Sequence, residues 1–123
     1  MVQLILHVII RVLLAGIFVY GGWGALTKPG GRPQKVAAAH IPFAKLAVIV
    51  NGGLMVVAGL LLAIGIVPRV AASVLVASMI PTTLVGHPFW HETSGPARDQ
   101  QAIQFLKNLG LIGGLLLVAV ATV

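Results

Sequence analysis

The sequence predicts an all-α membrane protein in which four transmembrane helices form a bundle. Of its 123 residues, 59% are hydrophobic and only 8% are charged, and the mean hydropathy is +1.06. Soluble domains carry roughly 25% charged residues. A chain this short is mostly surface, so it could not bury so much apolar area in water. Lipid must therefore surround most of the chain.

Four apolar stretches are long enough to cross a bilayer core, which takes about 20 residues of helix. Because lipid offers the backbone no hydrogen-bond partner, each stretch is predicted to be helical. We expect the whole chain, residues 1–123, to form a single transmembrane domain. The predicted spans are residues 4–26, 44–66, 67–86 and 103–123.

Helix-breaking residues separate the predicted spans. The segment Thr27–Pro33 (TKPGGRP) ends the first span, and Gly65 with Pro68 indicates a tight turn between the second and the third. The third span ends in GHPFW, residues 86–90, and the polar connection 86–102 has room for a short interfacial helix. No basic residue precedes the first apolar run, so we expect a retained span and not a cleaved signal peptide.

The charge balance indicates how the chain lies in the membrane. Eight Lys and Arg stand against two acidic residues, Glu92 and Asp99, which gives a net charge of +6. No basic stripe is interleaved with aromatic residues, so the excess indicates topology and anionic lipid, not nucleic acid. More basic residues lie on the side of the long loops than on the side of the termini. Because basic residues are enriched in cytoplasmic loops, this difference predicts that the long loops are cytoplasmic and that both termini are outside. The loop side has Lys28, Arg32, Lys35, Lys45, Arg98 and Lys107, and the side of the termini has Arg11 and Arg69.

The composition also excludes several kinds of active site. There are no cysteines, so this chain has no disulfide, thiolate metal site or dithiol relay of its own. The sequence shows no Ser-His-Asp set, paired carboxylates or phosphate-binding glycine loop. His87 and His91 lie four residues apart beside Glu92, but no further ligand is clustered with them, so we expect no metal. We assign no catalytic residue.

Arg11 is the polar residue that most needs an explanation. It is expected about seven residues, or roughly 10 Å, inside the first span. An ionisable group in a span is energetically expensive. Both acidic side chains lie in the loop on the opposite side. Arg11 can snorkel to the membrane surface or find another partner. The possible partners are backbone carbonyls, the C-terminus of Val123, a lipid phosphate, a bound ligand or another protein.

A second set of polar residues is expected to share one layer at the loop side of the bundle. Asn51 lies inside the second span, and Lys107 and Asn108 lie inside the fourth at comparable depths. Such a layer could hold a carbonyl or hydroxyl headgroup whose tail runs along the helices. Alternatively, Asn51 hydrogen-bonds a neighbouring helix and the aromatic residues form an interfacial belt. The other members of the layer are Thr82, Thr83, His87, Tyr20 and Trp23, and the belt would comprise Tyr20, Trp23 and Trp90.

Pairs of small residues at a spacing of four predict close helix contacts in lipid. The pairs either pack within the bundle or form a face for another subunit. We assign Trp23, Trp90 and the GxxxG pair to interfaces. The pairs are Gly110 with Gly114, Gly21 with Ala25, and Ser73 with Ala77.

Several motifs follow one another in an order that is specific to one family. The most specific are PTTLVGHPFW, residues 81–90, and QFLKNLGLIGGLLL, residues 104–117; IIRVLLAGIFVYGGWGALTKP, VNGGL and GLLLAIGIVPR precede them. From residue 10 to residue 117 the chain resembles the DoxX family, especially the version common in actinobacteria. The family-typical positions are Arg11, Gly21, Asn51, Pro68, Arg69, His87, Trp90, Phe105, Lys107 and Asn108.

This resemblance implies a four-helix bundle associated with membrane redox systems. One branch of the family includes a subunit of a thiosulfate:quinone oxidoreductase, and another is linked to a complex for oxidative-stress and thiol defence. Many relatives carry a glutamate in the second span where this chain has Met55, so a proton-transfer role based on that acid is absent here. The implied location is the bacterial plasma membrane.

Three functions stay open at this point. The first is an accessory subunit of a membrane oxidoreductase or redox-defence complex, with a quinone or lipid as ligand and other membrane subunits as partners. The second is a structural or assembly subunit, alone or as a homo-oligomer, for which the GxxxG pair and Arg11 argue. The third is a transporter, against which the few intramembrane charges argue. The candidate ligand-binding residues are Arg11, Asn51, Thr83, His87, Lys107 and Asn108.

Overall fold

The computed structural model describes residues 1–91 and 95–120, and within these ranges every regular element is helical. Four long helices are apolar enough to cross a membrane, which confirms the predicted fold class. A short helix α2 (Arg32–Ala38) and a 3-10 turn (Phe89–His91) lie in the connections. The long helices are α1 (Val2–Thr27), α3 (Ala44–Ile64), α4 (Pro68–Gly86) and α5 (Pro96–Val120).

The reversal between α3 and α4 follows from two residues that favour a turn. Gly65 ends α3 with a φ of +88°, a left-handed conformation that glycine adopts without steric cost. The backbone amides of Gly65 and Ile66 both donate to the carbonyl of Leu61, which satisfies the end of the helix. Pro68 then occupies the first turn of α4, where its missing amide costs nothing. We call this end of the bundle the turn end, and the end with α2 and the 3-10 turn the loop end.

The helices pack in the order α1, α3, α4, α5, and α1 touches α5 only slightly. The closest approach joins α1 to α3 through glycines. A Cβ atom on Gly22 would lie 2.6 Å from the carbonyl oxygen of Gly52, so the two backbones are in direct contact. Close packing of this kind is the main attraction between helices in lipid, where apolar burial adds little. The expected pair Gly21 and Ala25 lies beside this contact, with Ala25 buried and Gly21 half-buried.

The core lies between the four helices, and its largest fully buried side chains are Phe18, Leu62, Leu75 and Leu115. Leu115 is the only buried residue that α5 contributes within its described length. Many large apolar side chains on all four long helices are exposed. A surface of this kind fits acyl chains, in agreement with the predicted lipid environment.

The connection before α5 is held by aromatic side chains. Phe105 on α5 lies 5.3 Å from Phe89 and 5.7 Å from Trp90, measured between ring centroids, and both pairs are edge-to-face. The guanidinium carbon of Arg98 lies 5.6 Å from the ring centroid of Phe89. Helix α5 starts at Pro96. Its polar first turns, residues 96–102, precede the predicted fourth span.

Candidate ligand cleft and polar layer

A hydrogen-bonded cluster links α3 to α4 near the loop end. Ser78 Oγ donates to Asn51 Oδ1 over 2.5 Å, and Asn51 Nδ2 donates to Thr82 Oγ1 over 2.8 Å. The hydroxyl of Thr82 in turn donates to the carbonyl of Ser78, 2.8 Å away. This geometry fits the alternative in which Asn51 bonds a neighbouring helix, and its role toward a ligand stays a prediction. Ser78 was not expected in the layer, although it lies one turn before Thr82.

Thr83, also on α4, has a different environment. Its side chain is only 2% exposed, and its Oγ1 atom is buried without a hydrogen-bond partner in the described part of the chain. Threonines inside helices commonly donate to the carbonyl one turn earlier. A buried hydroxyl that makes no such bond is costly, and it can bond an oxygen or nitrogen atom supplied from elsewhere.

His87, the residue directly after α4 and one turn after Thr83, lines a cleft. The cleft has a volume of about 340 Å³ and is lined by His87, Ala97, Gln100, Gln101 and Gln104. This volume lies at the small end of the range for ligand pockets. His87 Nδ1 lies 2.9 Å from Gln101 Oε1. With the Gln101 amide in this orientation, its oxygen accepts from Nδ1–H, and Nε2 of the neutral imidazole is then free to accept.

The polar face of α5 continues from this cleft toward the membrane interior. Gln101, Gln104 and Asn108 follow one another at spacings of three and four residues, so they share one face of the helix. From Gln101 to Asn108 the helix advances about 10 Å. Asn108 is half-buried and Lys107 is exposed. The glutamines were not predicted as site residues, although their helical spacing with Asn108 was a readable signal.

Helix α2 also contributes to the loop end. Lys35 Nζ donates to the carbonyl of Gly86, the last residue of α4, over 3.0 Å. A cation at this position satisfies one of the free carbonyls of the helix end and interacts favourably with the helix dipole. Lys35 was expected only as a topology charge. Its contact with α4 places α2 beside the helix end that carries His87.

Arg11 lies at the turn end, away from the residues of the cleft. Its guanidinium packs against Gly65, where an added Cβ atom would lie 3.0 Å from Arg11 Nη2. The expected depth of roughly 10 Å inside the span stays a prediction. Relative to the other helices, α1 extends past the end of α3, and Arg11 is level with the chain reversal. The C-terminal residue Val123, one expected partner, lies outside the described residues.

The expected interface residues have distinct surroundings. Trp23 and Trp90 are exposed, as a membrane belt requires. The two glycines of the GxxxG motif differ, since a Cβ on Gly114 would lie 3.3 Å from Leu14 and one on Gly110 would meet nothing within 4 Å. Half of the motif therefore packs within the bundle. The described residues contain no group of three metal-binding side chains, and Glu92 lies outside them.

Four apolar helices with one polar end define a small multi-pass membrane protein. The family model of DoxX matches residues 6–88, more than half of the chain, and the chain belongs to the DoxX family. The resemblance predicted from the motifs is thereby confirmed for the family, and the actinobacterial version stays a prediction.

Two relatives from Escherichia coli strain K12 match most of the chain. Inner membrane protein YphA is 29% identical over 116 residues, which cover 94% of this chain and 82% of YphA. Inner membrane protein YqjF is 28% identical over 114 residues, which cover 89% of this chain and 78% of YqjF. No solved structure matches.

Proposed function

We propose that this protein is a non-catalytic accessory subunit of an oxidoreductase or redox-defence complex in the bacterial plasma membrane. In this proposal, the cleft at the loop end binds the headgroup of a quinone or a similar lipid-soluble carbonyl compound. The observation that carries the proposal is the His87–Gln101 pair at the mouth of the cleft. The names of the two relatives support the inner membrane as the location, and the redox association rests on the family resemblance.

The chemistry of the pair suits both states of a quinone. Gln101 keeps its amide N–H groups as donors, which can bond the carbonyl of the oxidised form. In the neutral Nδ1–H form of His87, Nε2 accepts and can bond the hydroxyl of the reduced form. Binding of either state needs no redox group in this chain, so electron transfer would take place at a partner subunit.

The polar face of α5 extends this site into the membrane. Asn108 lies about 10 Å further along α5 than Gln101. A headgroup in the cleft would meet His87 from α4 and the glutamines of α5. Its tail would then pass along the exposed apolar surfaces of the helices, where lipid tails already lie. Thr83 does not line the cleft and its hydroxyl is buried, so its role toward a ligand stays a prediction.

Photolabelling tests this proposal. Native membranes containing the protein are illuminated with a short-tailed azidoquinone, and the labelled peptides are located by mass spectrometry. We expect label within residues 81–91 or 96–108. The variant His87→Ala should lower this labelling about fivefold, the effect of losing one hydrogen bond of about 1 kcal/mol. His91→Ala is the matched control, since His91 is exposed and does not line the cleft.

Label spread evenly over the apolar faces of all four helices, unchanged by His87→Ala, would contradict the quinone site. Melting temperatures of both variants show whether a loss of labelling reflects unfolding. An excess of unlabelled quinone should compete with the label in the wild-type protein, which excludes simple partition into lipid.

The second candidate function is a structural or assembly subunit, and one observation favours it. Gly110 and Gly113 on α5 face open space, although small residues on a membrane helix suit close contact with another helix. Because the chain has no cysteine, a single Gly110→Cys substitution reports on contacts of this face. A specific disulfide or cross-linked product in native membranes would support assembly through α5, and a protein that stays uncross-linked would count against it.

We further propose that residues 1–123 act as one membrane domain whose long loops face the cytoplasm. The basic residues of the loop end support this orientation by the positive-inside rule. In this orientation the cleft opens toward the cytoplasmic surface, where a redox partner with a soluble domain could reach it.

A further inference from the structure

Arg11 lacks an acceptor within the described chain. The guanidinium packs against Gly65, and a Cβ atom there would lie 3.2 Å from Arg11 Cζ. The Nε atom is buried and has no hydrogen-bond partner among residues 1–91 and 95–120. A partly buried cation needs a bonding partner of opposite charge or polarity. The acceptor must therefore come from outside these residues.

The surroundings of Arg11 favour an anion. Arg69 lies four residues after Gly65, is exposed, and uses its Nε to donate to the carbonyl of Ala119 over 3.1 Å. Helix α4 begins at Pro68, so the first amides after it have no carbonyl of their own helix to bond. Asp99, the only acidic residue in the described part, lies in the first turn of α5 at the loop end.

The apolar surface beside Arg11 indicates that this anion carries acyl chains. From Arg11 toward the centre of the bundle, the next turns of α1 carry mainly apolar side chains. Several of these side chains are exposed, for example Leu13 at 73% and Ile17 at 52%. An occupant of this corner meets a guanidinium and an apolar helix at once. A phospholipid satisfies both, whereas a free hydrated anion would leave the apolar helix uncovered.

The different lengths of the helices explain how a headgroup reaches Arg11. The α3–α4 reversal ends the bundle at the level of Arg11, while α1 continues beyond it. A lipid next to the turn can therefore lower its headgroup toward Gly65 while its neighbours cover the rest of α1. Membranes make such local adjustments around short helices and buried arginines at modest cost.

We propose that an anionic phospholipid binds at the turn end, with its phosphate between Arg11 and Arg69 and its acyl chains along the apolar turns of α1 that follow Arg11. The bound lipid supplies the acceptor that Arg11 lacks. This site is separate from the cleft at His87, since it lies at the other end of the bundle, and it stands or falls independently of the quinone proposal.

Native mass spectrometry of the purified protein tests this proposal. Micelles are prepared with equal amounts of phosphatidylglycerol and phosphatidylcholine, and the lipid retained by the protein is measured. We expect the wild-type protein to retain phosphatidylglycerol preferentially. Arg11→Gln should lower this preference at least tenfold, and Arg11→Lys should lower it less, because the charge remains and the forked donor geometry is lost. Lys45→Gln is the control, since it removes an exposed cation at the loop end.

Three results would overturn the proposal. One is an unchanged preference in Arg11→Gln, and another is an equal loss in Lys45→Gln, which would indicate general charge attraction. The third is displacement of the lipid by millimolar inorganic phosphate or by a co-purified acidic protein, which would assign the site to a free anion or to a subunit. If Arg11→Gln does not give a folded protein in gel filtration, Arg11→Lys and Arg69→Gln are measured in its place. A preference for phosphatidylglycerol equal to that of the wild type in both variants would also overturn the proposal.

Discussion

The close contact between α1 and α3 makes a specific prediction for Gly22→Ala. The added methyl group would lie 2.6 Å from the carbonyl oxygen of Gly52 and 2.9 Å from Met55 Cβ. Neither neighbour is the flexible end of a side chain, so the two helices must separate. Overpacking of this kind costs about 1–3 kcal/mol, while replacing glycine in a helix returns about 0.5–1 kcal/mol. The difference between the two ranges is a net destabilisation of about 0–2.5 kcal/mol, with a midpoint slightly above 1 kcal/mol.

The matched control is Gly16→Ala on the same helix. A Cβ atom at Gly16 would meet nothing within 4 Å, so this variant should gain up to about 1 kcal/mol from the higher helix propensity of alanine. Stability is measured by reversible unfolding with dodecyl sulfate in lipid–detergent micelles, followed by tryptophan fluorescence, because Trp23 lies on α1. Equal stability of the two variants would refute the direct contact of the α1 and α3 backbones.

Three further predictions concern the polar layer and the orientation. Asn51→Ala removes two hydrogen bonds between α3 and α4 and should destabilise the protein by about 1–2 kcal/mol in the same unfolding assay; Ser73→Ala, an exposed helix position, should change stability by less than about 0.5 kcal/mol. Thr83→Val removes a buried hydroxyl that has no hydrogen-bond partner among the described residues, so it should leave stability equal or higher; lower stability would show that the hydroxyl is bonded within the protein. A reporter enzyme that works only outside the cytoplasm should be active when it is fused after Val123, and one that works only in the cytoplasm should be inactive there. The opposite result would reverse the orientation.

Local signals in the sequence were sufficient to predict the helices and the main turn. Apolar runs of membrane length have no other stable backbone conformation in lipid. Gly65 and Pro68 each favour one specific backbone position, so their spacing indicated the reversal. The family was recognisable because PTTLVGHPFW and the α5 motif combine residue types that an ordinary membrane helix does not require.

Features that depend on the relative position of two helices were not predictable in this way. The level of Arg11 depends on how far α1 extends past α3, and helix length in the sequence does not determine that offset. The partner of Asn51 depends on the rotation of α4, which turns Ser78 and Thr82 toward α3. The pair of His87 with Gln101 depends on the aromatic contacts of Phe105, which set the position of α5 beside the end of α4.

In the proposed function, the loop end binds a lipid-soluble carbonyl compound for a redox partner. Native mass spectrometry of the protein extracted gently from its own membranes tests it most directly, with the retained small molecules identified after solvent extraction. The proposed function predicts a retained quinone whose amount falls about fivefold in His87→Ala and is unchanged in His91→Ala, together with a co-purifying redox subunit. A protein that carries no quinone in either the wild-type or the His91→Ala form, alone or as a homo-oligomer, would contradict it and favour the assembly function of α5.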